Sequence, residues 1–171
     1  IFISLLFSIL SLSVSAQKPT KAEKAAQLEQ EFQQTRQLIE SNHFQFELNR
    51  VYPQDGQDLS RFNPRGKFVI TDSVAKGTLP FFGRAYSLPY GEGGGIEFDG
   101  VMKDQSLKIE HKKKRKILIY RFSITAKNDT YQISMEISGG GNCSVNLNSN
   151  NRAQISYSGT VSPVKDETGK S

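Results

Sequence analysis

Few side chains in this sequence could do covalent chemistry, and none is spaced for it. His43 and His111 are the only histidines and Cys143 is the only cysteine, so no His/Cys spacing of the kind that holds zinc is present. No Gly-x-Ser-x-Gly elbow and no cysteine–histidine motif marks a nucleophile. The run Gly91 to Gly95 leads into a strand pattern rather than a helix, so it lacks the setting of a phosphate-cradling loop. Asp72, Glu92, Glu97 and Asp99 lie close together in the sequence, and a glycan hydrolase would need two carboxylates about 5–10 Å apart in one cleft. The residues read as non-catalytic, with no cofactor and no metal.

What the chain does carry is the segment LPFFGRAYSLPYGEGGGI, from Leu79 to Ile96. Pro80 and Pro89 lack an amide donor, so this stretch should run as an edge or crossing loop and not as a central strand. Phe81, Phe82, Tyr86 and Tyr90 each bring a ring worth about 150–250 Å² of buried surface. Arg84 could stack on a tyrosine face or pair with Glu97, and either contact would fix the path of the loop. Two readings stay open. In one the loop plugs an end of the sheet; in the other Phe82, Arg84, Tyr86, Tyr90 and Arg152 form a rim that binds a glycan, peptide or protein of the cell envelope. In the first reading Arg152 braces the loop and Asn151 serves a turn.

Elements must position this loop, and the pattern of apolar residues indicates which. Lys21 to Ser41 is rich in Ala, Glu, Gln and Lys, with Leu28, Phe32, Thr35 and Ile39 spaced as one stripe of an amphipathic helix. From Phe44 the period changes to two. Phe44, Phe46 and Leu48 alternate with polar residues, and Lys67 to Val74 and Ile96–Phe98 read as further β segments. Leu107–Ile109, Ile117–Ile124, Tyr131–Ile137, Cys143–Leu147 and Ala153–Val161 then give five consecutive strands joined by short loops rich in Gly, Asn, Asp or Lys. Apolar residues on both faces of Ile117–Ile124 predict cover from both sides. The expected fold is mainly β: an antiparallel meander of about eight or nine strands forming a sandwich or partly closed barrel, with the helix packed on it. A barrel would also suit a carrier of a small apolar ligand, with the aromatics at its mouth.

Composition sets the compartment. Residues 1–16, IFISLLFSILSLSVSA, are apolar and uncharged, with small residues at Val14 and Ala16. They read as a secretory signal truncated at its start, because the run is short of the roughly 20 residues of a membrane span. Residues 17–41 are then linker and helix, 42–163 a single β domain, and 164–171 a disordered polar tail. The protein is expected to be exported, periplasmic or secreted, with no stable membrane span after cleavage. Asn128-Asp129-Thr130 and Asn142-Cys143-Ser144 fit the glycosylation sequon, which matters only in a eukaryotic secretory host.

A lone cysteine leaves no internal disulfide, and Cys143 falls on the apolar side of its strand. Net charge is +5, and Lys112 to Lys116 alone contribute five positive charges. Basicity so local argues against nucleic acid. It suits a solvated hairpin tip, or contact with an anionic lipid or polysaccharide surface.

The residues Thr78-Leu79-Pro80-Phe81-Phe82-Gly83-Arg84-Ala85-Tyr86, then Pro89-Tyr90-Gly91 and Gly94-Gly95-Ile96-Glu97-Phe98, resemble the LPYFGRAY…PYG…GGIxF signature of a domain family of unknown function, DUF4251. Asn151-Arg152-Ala153-Gln154-Ile155-Ser156-Tyr157-Ser158-Gly159 resembles the closing N-R-x-x-I-S-Y-x-G strand of that family. The resemblance implies an exported protein of the Bacteroidota, often a lipoprotein, and brings no activity with it. This chain departs in having Phe81 where Tyr is common and no lipid-anchor cysteine after its apolar run.

Overall fold

Helix α1 (Lys21–Glu40) starts on a capping box: the Glu23 amide donates to Thr20 Oγ1 at 3.3 Å, and the Thr20 amide donates to the Glu23 carboxylate at 2.7 Å. The structure is a computed structural model that describes residues 20–54, 59, 62–86, 94–112, 115–126 and 129–165. The expected signal segment, Pro89, Tyr90, Glu92, Lys113, Lys114, Asn128 and the tail beyond Lys165 lie outside those residues. Phe32, Thr35 and Ile39 form the buried face of α1. Leu28, expected on the same stripe, is 62% exposed. Phe32 packs on the backbone of Gly139, and Leu28, one turn earlier, has no such surface beneath it.

Eight strands follow: β1 (His43–Pro53), β2 (Lys67–Thr71), β3 (Val74–Leu79), β4 (Ile96–Lys112), β5 (Arg115–Thr125), β6 (Thr130–Ser138), β7 (Asn142–Ser149) and β8 (Ile155–Pro163). Each pairs antiparallel with the next, and β8 pairs with β1 from Phe44 opposite Pro163 to Pro53 opposite Ile155. The meander therefore closes on itself through β1 and β8, so that of the two expected forms the protein adopts the barrel and not the sandwich.

Two strand boundaries differ from the pattern reading. Lys67–Val74 breaks after Thr71, because Asp72 adopts φ 56 and turns the chain into β3. Ile96–Phe98 and Leu107–Ile109 belong to one 17-residue strand whose register shifts between Lys103 and Ser106, around Asp104 at φ 53. The shift is a β-bulge, where one extra residue breaks the period-two signal. The described part of the lysine cluster is strand: Lys112 pairs with Arg115, and His111 with Lys116.

Aromatic residues fill the barrel. Phe46 and Phe68 stack at 5.0 Å between centroids, and Phe68, Phe98 and Tyr131 continue the chain at 5.9 and 6.2 Å. Two glycines make room for them. A Cβ at Gly77 would lie 2.2 Å from Phe68 Cβ, and one at Gly159 would lie 2.7 Å from the Phe46 ring. Cys143 is buried. Ile119 is buried on the outer side of β5 while Ile117 is half-buried, so the predicted double cover is realised over part of that strand.

Helix and loop occupy opposite ends. The β2–β3, β4–β5 and β6–β7 turns share one end with α1, where Asn42 accepts from the Asp72 amide and Lys116 meets Glu29 at 2.9 Å. The long segment after β3 and the connection over residues 150–154 lie at the other.

Candidate functional site

Three sets of contacts hold the segment after β3. At its root Leu79 is fully buried, and Tyr157 Oη donates to the Pro80 carbonyl at 2.9 Å. Burial pushes the Tyr157 phenol well above its ordinary range, so the hydroxyl keeps its proton as a donor. Above that, Arg152 is 5% exposed and sets its guanidinium carbon 5.1 Å from the centroid of the Phe81 ring. One of its Nη atoms donates to the Gly94 carbonyl at 3.4 Å. A single side chain thus ties the outgoing arm of the loop to the returning one.

The third set is backbone pairing. Ala85 bridges to Arg152, the Tyr86 amide donates to the Asn151 carbonyl at 2.8 Å, and the Ala153 amide donates to the Arg84 carbonyl at 2.9 Å. Residues alternate across such a ribbon, so Arg84 and Tyr86 project from the same side. They line a cleft of about 530 Å³ with Phe82, Pro53, Gln54 and Leu59, and Gly83 and Ala153 complete its described walls. Phe82 is 37% exposed and Tyr86 67%.

The predicted site residues therefore separate into two groups. Phe82, Arg84 and Tyr86 come together in the cleft. Arg152 lies beneath the loop as its brace, and Tyr90 is outside the described residues. Neither partner foreseen for Arg84 is found: among the described residues its exposed guanidinium has no ion pair or ring contact, and the ring-stacking role falls to Arg152 on Phe81. Pro53, Gln54 and Leu59 had no signal in the sequence, because they reach the cleft only through the rise of β1 beside β8.

Arg84 is the one charged residue among the described lining, which contains no carboxylate, histidine or cysteine. Glu97 and Asp99 face outward on β4 and line a different groove of about 1110 Å³ across β1–β4. There Asp99 is paired to Lys76 at 2.7 Å, while Glu47 meets Lys165 at 3.0 Å. Asp72 sits at the helix end of the barrel. Among the described residues no group of His, Cys, Asp or Glu could hold a metal ion. No described helix is long and apolar enough to cross a membrane.

Fold and site together define an eight-stranded antiparallel barrel with a helix at one end and an arginine-braced aromatic loop at the other. Residues 26–161 match the family described as Domain of unknown function (DUF4251), and the chain belongs to that family. A crystal structure of a DUF4251 family protein from Bacteroides eggerthii DSM 20697 has the same fold, with a TM-score of 0.57 at 22% identity, over 82% of this chain and 91% of that one. No curated protein matches the sequence.

Proposed function

We propose that this is an exported, non-catalytic binding or scaffolding protein of the cell envelope that holds a glycan, peptide or protein partner in the cleft of the Leu79–Gly95 loop. The observation that carries this reading is the division of labour within the loop: Phe81 and Arg152 are spent inside it, while Phe82, Arg84 and Tyr86 point into one cleft. Exposed aromatic rings beside a guanidinium that has no ion pair among the described residues suit stacking on a sugar or peptide plane and pairing with an anionic group. The described lining supplies no acid–base pair, which supports binding without turnover. The apolar start of the chain supports export. The alternative of an apolar-ligand carrier gains no support from a barrel interior packed with Phe46, Phe68, Phe98 and Tyr131.

Arrays of soluble glycans and peptides probed with the full chain test the reading. Binding should be lost in the Arg84→Ala/Tyr86→Ala double variant while the melting temperature stays within about 2 °C, since both residues are exposed. A double variant that binds the same probes as strongly as wild type would overturn it.

A further inference from the structure

The barrel closes, yet one stretch of strand is left over. β4 pairs with β3 only as far as Val101, and the Met102 amide donates to the Ser73 carbonyl at 2.7 Å, the last backbone hydrogen bond to that side among the described residues. From Lys103 to Lys112, β4 pairs with β5 alone among the described residues. The bulge at Asp104 marks the departure. Beyond it the strand carries an open edge at the helix end of the molecule, with Lys108 to Lys112 exposed and Ile109 at 41%. An open edge presents unpaired N–H and C=O groups that another strand can complete.

From this edge we infer that β4 pairs with β4 of a second copy of this chain, antiparallel and about a two-fold axis at Ile109. Parity, charge and the apolar residues together choose that register over its neighbours: centring on Leu107 would form no ion pair, and centring on His111 would set two imidazoles opposite each other in place of the two isoleucines. Residues opposite each other in an antiparallel pair share a face, so only even offsets are allowed. Leu107 and Ile109, opposite Tyr120 and Leu118, lie on one face; Lys108 and Glu110, opposite Ile119 and Ile117, lie on the other. Centring on Ile109 sets Ile109 against its copy and makes two Lys108–Glu110 pairs across the axis. Centring on Lys108 or on Glu110 instead sets like charges face to face, which destabilises a strand pair. Charged residues normally guard an edge against indiscriminate pairing, and here their alternation admits the chain's own sequence. The inference does not depend on the cleft, which lies at the other end of the barrel.

Sedimentation of the full chain over a concentration series tests it. A monomer–dimer equilibrium is expected, shifted to monomer by at least tenfold in Kd for Glu110→Lys and restored by Lys108→Glu/Glu110→Lys. A short bis-maleimide should link Ile109→Cys chains into dimers and leave Val101→Cys chains single, with Cys143 buried from the reagent. A monomer at every concentration, self-association that survives Glu110→Lys, or cross-linking equal at the two cysteines would each overturn the inference. So would pairing of this edge with a strand of a different protein.

Discussion

Arg152 and Phe81 meet face to ring, with 5.1 Å between guanidinium carbon and ring centroid, beneath a loop whose other end Arg152 also holds through Gly94. Among the described residues the buried Arg152 Nε has no hydrogen-bond partner, so the polar part of what the side chain gives to stability rests on this contact and the Gly94 bond. A desolvated cation–π contact is worth about 2 kcal/mol. Arg152→Ala should lower unfolding free energy in denaturant by about that much. Arg152→Met should lose less, because it keeps the stem packing and removes a buried charge. A loss below about 0.5 kcal/mol for Arg152→Ala, the scale of a surface substitution, would show the contact idle.

Aromatic filling of the barrel depends on two glycines. A Cβ at Gly159 would lie 2.1 Å from the Glu47 carbonyl oxygen, and one at Gly77 would lie 2.7 Å from Phe68 Cα. Backbone cannot yield to that degree without opening the sheet, so Gly159→Ala and Gly77→Ala should each cost about 3 kcal/mol or more. Gly94→Ala meets nothing within 4 Å and should stay within about 0.5 kcal/mol of wild type. Thermal melts of the three variants check the contrast.

Tyr120 couples the fold to alkaline pH. It is 3% exposed, its hydroxyl lies 3.0 Å from Asn42 Oδ1 and 2.9 Å from Gln105 Oε1, and burial pushes its phenol up from 10 to about 12. The folded state holds the proton more tightly than the unfolded one. Its contribution is therefore complete below pH 10 and is lost as pH rises through 12. Melting temperature should fall over that window, and less steeply in Tyr120→Phe. An equal slope in both would assign the loss to other groups, of which Tyr157, raised in the same direction, is the first to test.

Cys143 should be inert. Its thiol is buried, and burial together with the nearby Glu136 carboxylate raises its pKa far above the ordinary range. The thiolate is the reactive form. A chromogenic disulfide reagent at pH 8 should therefore label the native protein only at the rate of unfolding, and label it at once in denaturant. Fast labelling of native protein would contradict this burial.

Much of this was legible in the residues themselves. Alternation marked β6 to β8, because each keeps one face in the barrel and one toward solvent; apolar residues on both faces marked β5, and the prolines and glycines marked the loop. Closure was not legible: it rests on Phe44 to Pro53 lying beside Ile155 to Pro163, a pairing between the two ends of the domain that no local pattern encodes. The strand break at Asp72 and the bulge at Asp104 were hidden for a related reason, since each is a single residue at positive φ that no glycine announces. In the site, Phe82, Arg84 and Tyr86 were found by type. Arg152 as a brace of the loop was one of the readings its position allowed; that Arg152 and not Arg84 stacks on a ring was not legible, because it follows from the Ala85–Arg152 bridge, a contact between distant segments.

Since Phe44 pairs with Pro163, the barrel's first strand begins and its last strand finishes side by side, at the pole where α1 packs. The molecule is therefore polar in how it can be mounted. Anything joined at either side of the domain meets it at that pole and leaves the rim of Phe82, Arg84 and Tyr86 facing outward at the far one.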